Sequence, residues 1–247
     1  MSESVKIVEK KPIPSEATML IGLPDVGLVG LIATSYLITE LKLEEVAYMD
    51  SDLLPPVVVL HKGLPHAPLR IYGNQNLIAV ISELAVPVPA IYSIMRKIVD
   101  WGQEKKVKRI LSMGGIPVES RQAITEPQVF GAASNQELLD TLTKRGLNLM
   151  NEGYIVGPQA LSMRYSISKK VPAIAILAQS FYNYPDPEAA AMALKEFSRI
   201  FEIKVDVAKL LEKGEEIRLK ARDIMKRTQQ EMNRMKKSQE YDLPLYV

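Results

Sequence analysis

Apolar positions along this chain fall into short blocks separated by proline and glycine, and the blocks alternate between two periods. Ala17 to Leu23 is a near-continuous apolar run that stops at Gly22-Leu23-Pro24. Beyond Asp25, residues Leu28, Leu31, Ile32, Tyr36 and Ile38 recur at helical spacing, so this stretch predicts a strand, a tight turn and a helix. Val46 to Met49, Val57 to Leu60, Leu69 to Tyr72 and Leu77 to Ile81 read as short buried strands, punctuated by Pro55-Pro56, Gly63, Pro65 and Gly73-Asn74. Pro89 to Lys105 returns to helical spacing, with Ile91, Ile94, Met95, Ile98 and Trp101 on one side. Val107 to Met113 is the next strand and ends at Gly114-Gly115. Val129 to Ala133 and Ala173 to Ala178 are further strands, and Asn135 to Arg145 is a helix. Pro185-Asp186-Pro187-Glu188 starts another helix, with Asp186 as cap and Pro187 at the first helical position. Parallel strands need crossover connections, so this alternation predicts an α/β protein: a three-layer sandwich, mainly parallel, with helices on both faces of the sheet.

The pattern changes at Val205-Asp206. From Val207 onward Leu210, Gly214, Ile217, Ala221, Ile224, Thr228, Met232 and Met235 alternate at spacings near three and four, as in a coiled-coil seam. A helix continuous to Lys237 would be ~46 Å long at 1.5 Å per residue, too long for one domain to cover. Its seam, with Leu210, Ile217, Ala221 and Ile224 at its centre, is expected to meet a helix of the same chain or of another copy, and Gly214 marks a point where it could break. The expected organisation is an α/β domain over 1–204, a long helix for packing or oligomerisation over 205–237, and a flexible tail over 238–247. That tail is polar, then interrupted by Pro244, and ends in Leu245, Tyr246 and Val247 with its carboxylate. Such an end has little apolar surface to hold it on a core, and suits insertion into a partner.

Composition narrows the class. With 247 residues, 47% of them hydrophobic and 24% charged, the chain can bury a full core. A formal charge of +2 gives no whole-molecule field for nucleic acid or an anionic membrane. The ten basic residues between Lys209 and Lys237 are interspersed with five acidic ones, which fits a solvated helix face rather than a nucleic-acid site. The absence of cysteine removes disulfides and thiolate chemistry. The uncharged stretch from Val26 to Thr39 is shorter than the ~20 residues of a membrane span, and Pro24-Asp25 interrupts any leader-like run, so a cytoplasmic location is expected.

Candidate chemistry is sparse. In Gly22-Leu23-Pro24-Asp25-Val26-Gly27-Leu28-Val29-Gly30 the first two glycines stand too far apart for a dinucleotide fingerprint. Leu28 and Val29 stand where a phosphate loop needs lysine and a hydroxyl. Asp25 at the start of a helix would cap its amides and repel phosphate. Polar residues near the strand ends are Asp25, Asp50, Asp52, Glu83, Gly114-Gly115, Glu119 and Gln179; a metal, a cationic group or an acid–base pair could use them, while capping and solvated loops account for them more simply. His61 and His66 sit in a Gly/Pro loop and read as surface residues. No Gly-x-Ser-x-Gly elbow is present, so no catalytic residue is nominated, and no metal or cofactor is expected.

Three segments in this order resemble the proteasome assembly chaperone family, particularly its archaeal members: Gly22 to Gly30, Met113-Gly114-Gly115, and Tyr184 to Ala190. The resemblance implies an α/β sandwich related to nucleoside phosphorylases, used as a binding scaffold in homo- or hetero-oligomers without the phosphorylase active site. By the same likeness Leu245-Tyr246-Val247 is similar to the hydrophobic-tyrosine-any-residue ending that docks between α-subunits of the 20S proteasome. Val247 would offer its carboxylate to a pocket lysine, Tyr246 would press on the gate-forming turn, and Leu245 would fill the apolar mouth. The expected function is an ATP-independent proteasome-binding chaperone or activator, self-assembled as a dimer or tetramer so that several weak tails act together. The alternative is a binder or enzyme of nucleosides or small metabolites using the strand-end cleft.

Overall fold

A computed structural model describes residues 5–239. Leu245, Tyr246 and Val247 therefore lie outside the described residues. The strands are β1 (Lys6–Glu9), β2 (Thr18–Gly22), β3 (Glu44–Asp50), β4 (Val59–His61), β5 (Leu64–His66), β6 (Leu69–Gly73), β7 (Leu77–Ser82), β8 (Arg109–Pro117), β9 (Val129–Ala133), β10 (Asn148–Leu149) and β11 (Ala173–Ser180). The helices are α1 (Val29–Glu40), α2 (Val88–Glu104), α3 (Gln136–Lys144), α4 (Gly157–Lys169), α5 (Pro187–Phe201), α6 (Ala208–Glu212) and α7 (Gly214–Gln239).

Nine strands form one sheet in the order β1-β3-β6-β7-β2-β8-β11-β9-β10. Its centre, β7-β2-β8-β11, is parallel, as the alternating pattern predicts. Antiparallel pairs β1–β3, β3–β6, β6–β7 and β11–β9 flank that centre, and the turn at Gly73-Asn74 joins β6 to β7 directly without a crossover. The period of two sorts side chains between two cores. In β2, Leu20 faces the core shared with α1 and α5, whereas Met19 and Ile21 face the core shared with α2 and α4. In α2 the predicted face of Ile91, Ile94, Met95, Ile98 and Trp101 is buried throughout.

The Gly-rich turn is a packing device. Gly27 and Leu28 both take left-handed backbone conformations, φ 62° and 53°, which turns the chain from β2 into α1. A Cβ on Gly30 would stand 2.3 Å from the Met113 carbonyl oxygen, so α1 crosses β8 at a separation only glycine allows. Gly30→Ala must push helix from strand, and is expected to cost about 1–3 kcal/mol, read as a lower midpoint in thermal unfolding.

One expectation changes. Val57 to Leu60 is not a buried strand: β4 pairs only with β5 in a separate hairpin, and Val58, Leu60 and Leu64 are 64%, 66% and 65% exposed. Among the described residues no layer covers the hairpin, so apolar content alone misplaced it. The C-terminal helix breaks at Lys213, beside the suspected Gly214, giving α6 and then α7. Its seam packs on the α1/α5 core of its own chain, with Leu210 fully buried and Ile217, Ala221 and Ile224 partly so. Helix α4 and strands β1, β5 and β10 have no counterpart in the sequence reading. Among the described residues no helix is long and apolar enough to cross a membrane.

Candidate functional site

In doubly wound sheets ligands bind outside the carboxyl ends of the strands, where neighbouring crossovers leave in opposite directions. Here that point lies between β2 and β8, since the chain runs from β2 toward β7 on one side and returns to β8 on the other. Asp25 occupies it. The 3-10 turn Val26–Leu28 that follows β2 drives the Asp25 side chain inward, leaving it 4% exposed. Its Oδ1 accepts from the Gly30 N–H at 3.1 Å, and its Oδ2 accepts from the Gly115 N–H at 2.9 Å and from Gln159 Nε2 at 3.0 Å. Gln159 Nε2 also donates to the Met113 carbonyl at 3.0 Å, tying α4 to β8. Burial dominates the titration: it pushes the Asp25 carboxyl up to about 8 against the three donors, which favour the ionised form. The residues that could face a ligand at the switch point are thus bonded to one another.

A second buried assembly lies beside it. Asp186 caps α5 by accepting from the Ala189 N–H at 3.0 Å, as the sequence predicts. It also takes a two-pronged ion pair from Arg121, Nε to Oδ2 at 2.8 Å and Nη2 to Oδ1 at 2.9 Å, and the Phe181 N–H at 3.1 Å. Arg121 stacks on Phe181, 5.0 Å from the ring centroid, and donates to the Ile124 carbonyl at 2.7 Å. The pair joins the loop after β8 to the start of α5.

Helix α7 lies across this end of the sheet. Glu231 accepts from the Val88 N–H at 3.1 Å, capping α2, whose own N-terminal residue offers no side-chain cap. Gln229 donates to Asn183 at 2.7 Å, Tyr182 donates to Asn233 at 3.3 Å, and Arg218 pairs with Glu188 in the first turn of α5. Met225 and Thr228 of α7 are buried beneath it.

Of the strand-end residues singled out from sequence, Asp25 and Gly114-Gly115 come together at the switch point. Gln179 accepts from the Gln128 N–H at 3.0 Å in a loop contact, and Glu119 is exposed. Glu83 joins a different group: His61 lies 3.2 Å from Glu83 and 2.8 Å from Arg70, and His66 lies 3.3 Å from Glu45. His61 is exposed, as expected, but strands remote in sequence supply both histidines with acidic neighbours. Asp50 and Asp52 line an open groove of about 960 Å³ between the end of β3 and the β4–β5 hairpin. Among the described residues no cluster of three or more His, Asp or Glu is placed to hold a metal ion. Sequence reasoning missed Arg121 and Gln159; Gly157-Pro158 ahead of Gln159 was a helix-start signal, whereas nothing local marked Arg121.

Comparison with known proteins gives a consistent result. Residues 19–225 match the PAC2 family. The chain is 29% identical over 248 residues to the uncharacterized protein MJ0106 of Methanocaldococcus jannaschii, with all of each chain covered. It resembles the crystal structure of Pyrococcus furiosus PbaA, described as an archaeal homolog of proteasome-assembly chaperone, with TM-score 0.86 and 26% identity over 92% of this chain and 98% of that one. The fold is shared with Pyrococcus furiosus PbaB, described as an archaeal proteasome activator, at TM-score 0.76 and 23% identity over 90% of this chain and 99% of that one.

Proposed function

Because the chain belongs to the PAC2 family, we propose that it is an ATP-independent, proteasome-binding chaperone or activator that works by docking and carries out no chemistry of its own. The observation that carries this reading is its likeness, over nearly its whole length, to an archaeal homolog of a proteasome-assembly chaperone. The switch point supports it from the other side: Asp25, Gln159 and the glycine backbone fill the place where a metabolite-binding relative would receive its ligand. The proposed contact is the ending Leu245-Tyr246-Val247, with the carboxylate of Val247 at a lysine, Tyr246 against the gate-forming turn and Leu245 in an apolar mouth of the 20S α-ring. Self-assembly into a dimer or tetramer is part of the proposal, because one short tail must offset its own ordering cost and linked tails share it.

The test is a pull-down of archaeal-type 20S particles with the full chain, with Tyr246→Ala and with residues 245–247 deleted. Both variants are expected to keep the wild-type circular dichroism and unfolding midpoint, and to lose binding and any stimulation of peptide hydrolysis. Undiminished capture by Tyr246→Ala would remove the tail from the mechanism. Free α-subunits in place of finished particles separate assembly from activation: an assembly factor is captured by the former and released as rings close.

A further inference from the structure

The groove between the end of β3 and the β4–β5 hairpin has no role in the tail-docking mechanism. It encloses about 960 Å³ and is lined by Leu54 and by Pro55, Pro56, Pro65 and Pro68. Proline fixes φ and carries no N–H, so these walls change shape little on binding and suit side-chain packing rather than addition of a strand. Both sides are held before any ligand arrives. In the turn after β3 the Ser51 Oγ accepts from the Leu53 N–H at 3.1 Å, and the Ser51 carbonyl accepts from the Leu54 N–H at 3.1 Å. The hairpin, whose strands pair only with each other, is fastened to the sheet by its histidines: His61 Nε2 accepts from Arg70 Nη2 at 2.8 Å, and His66 lies 3.3 Å from Glu45.

Asp50 and Asp52 also line the groove, and both are exposed. Among the described residues neither has an ion-pair partner, whereas Lys10, the lysine in the lining, is taken by Glu45. The groove thus sets two unneutralised carboxylates against apolar walls. Among the described residues no group of three or more His, Asp or Glu could hold a metal ion, so the cation these carboxylates suit is an ammonium or guanidinium group. Asp50 ends β3 and Asp52 stands two positions beyond it. In an extended chain side chains two positions apart lie on one face, so an extended partner with cations at alternate positions meets both carboxylates together. Apolar residues beside those cations would pack on the prolines and on Val58 and Leu60, which are 64% and 66% exposed.

We infer that this groove binds an extended segment of another protein that carries lysine or arginine at alternate positions flanked by apolar residues. The inference goes beyond the proteasome reading and does not depend on the tail.

The experiment is fluorescence anisotropy on the full chain with a short, end-blocked, dye-labelled peptide that has lysines at two alternate positions among leucine and proline. Wild type should bind it, and less tightly as salt is raised. Asp50→Lys with Asp52→Lys should weaken binding about tenfold or more, and should take up instead the counterpart peptide with glutamates in place of the lysines. The circular dichroism of this variant should match wild type, since both side chains are exposed. Spermine, a cation without apolar side chains, should leave the peptide bound at equal concentration. Capture of 20S particles by the variant should equal that by wild type, so failure of the tail reading and failure of this one show separately. The inference is overturned by a wild type that binds neither peptide, by equal binding of the two, by displacement with spermine, or by a change of assembly in the variant on light scattering, which would place a second copy in the groove.

Discussion

Asp186→Ala is expected to lower the stability of the folded chain by about 3–5 kcal/mol, the cost of leaving one member of a buried ion pair without the other. Arg121 and Asp186 are 5% and 0% exposed, so water cannot replace the lost carboxylate. The substitution strands the guanidinium and also frees two backbone donors, the N–H groups of Ala189 and Phe181. Even Asp186→Asn should be costly, because each carboxylate oxygen accepts from Arg121 and from a main-chain N–H, and an amide would turn one acceptor into a donor. Urea unfolding of Asp186→Ala, of Arg121→Met, and of the double variant Arg121→Met with Asp186→Leu checks the account. The double variant should be less destabilised than the sum of the singles, since it removes the stranded charge, though it cannot recover the cap. Strict additivity would show that the pair is not coupled.

The second large effect concerns Asp25. Its carboxyl ionises near 3.8 when the chain is unfolded and near 8 in the folded protein, because burial disfavours the charge. Between those values the native state holds a proton that the unfolded chain has released. Stability should therefore fall as pH rises from about 4 to about 8, with a slope of up to about 1.4 kcal/mol per pH unit from this group. Asp25→Asn removes the titration. Its unfolding midpoint should be lower at the acid end, since an amide cannot accept from Gly30, Gly115 and Gln159 together and leaves a donor unmatched at about 1–3 kcal/mol, and the two profiles should converge and cross as pH rises, because wild type loses more than that over the range. It should also lack the downward slope that wild type shows. Parallel pH profiles for the two proteins would mean that Asp25 is ionised in the native state across the range.

These two carboxylates also mark how far a linear reading goes. Asp186 was legible as a cap because Pro-Asp-Pro-Glu places the acceptor, the fixed φ and the favourable charge within one helical turn. Its ion pair was not, because Arg121 arrives from 65 residues away, brought in by the loop after β8. Asp25 was expected at a helix start and does bond the Gly30 amide there. That it also spans to Gly115 and to Gln159 depends on β8 lying next to β2 and on α4 packing behind both, which no spacing near Asp25 encodes. His61 and His66 illustrate the same limit: their acidic neighbours Glu83 and Glu45 sit on other segments of the chain.

What the chain carries locally is its list of elements and their class. Apolar period, proline, glycine and capping residues act over a few positions, so the parallel centre of the sheet, the helices over 29–40, 88–104, 136–144 and 187–201, and the break near Gly214 follow from neighbours in sequence. The tertiary structure alone decided which apolar block would stay uncovered, which polar groups would be buried together, and that the C-terminal seam would be filled from within. Burial is a property of the whole packing: Val58 and Ile78 are alike in chemistry, yet one stands exposed just before the β4–β5 hairpin and the other lies between two layers.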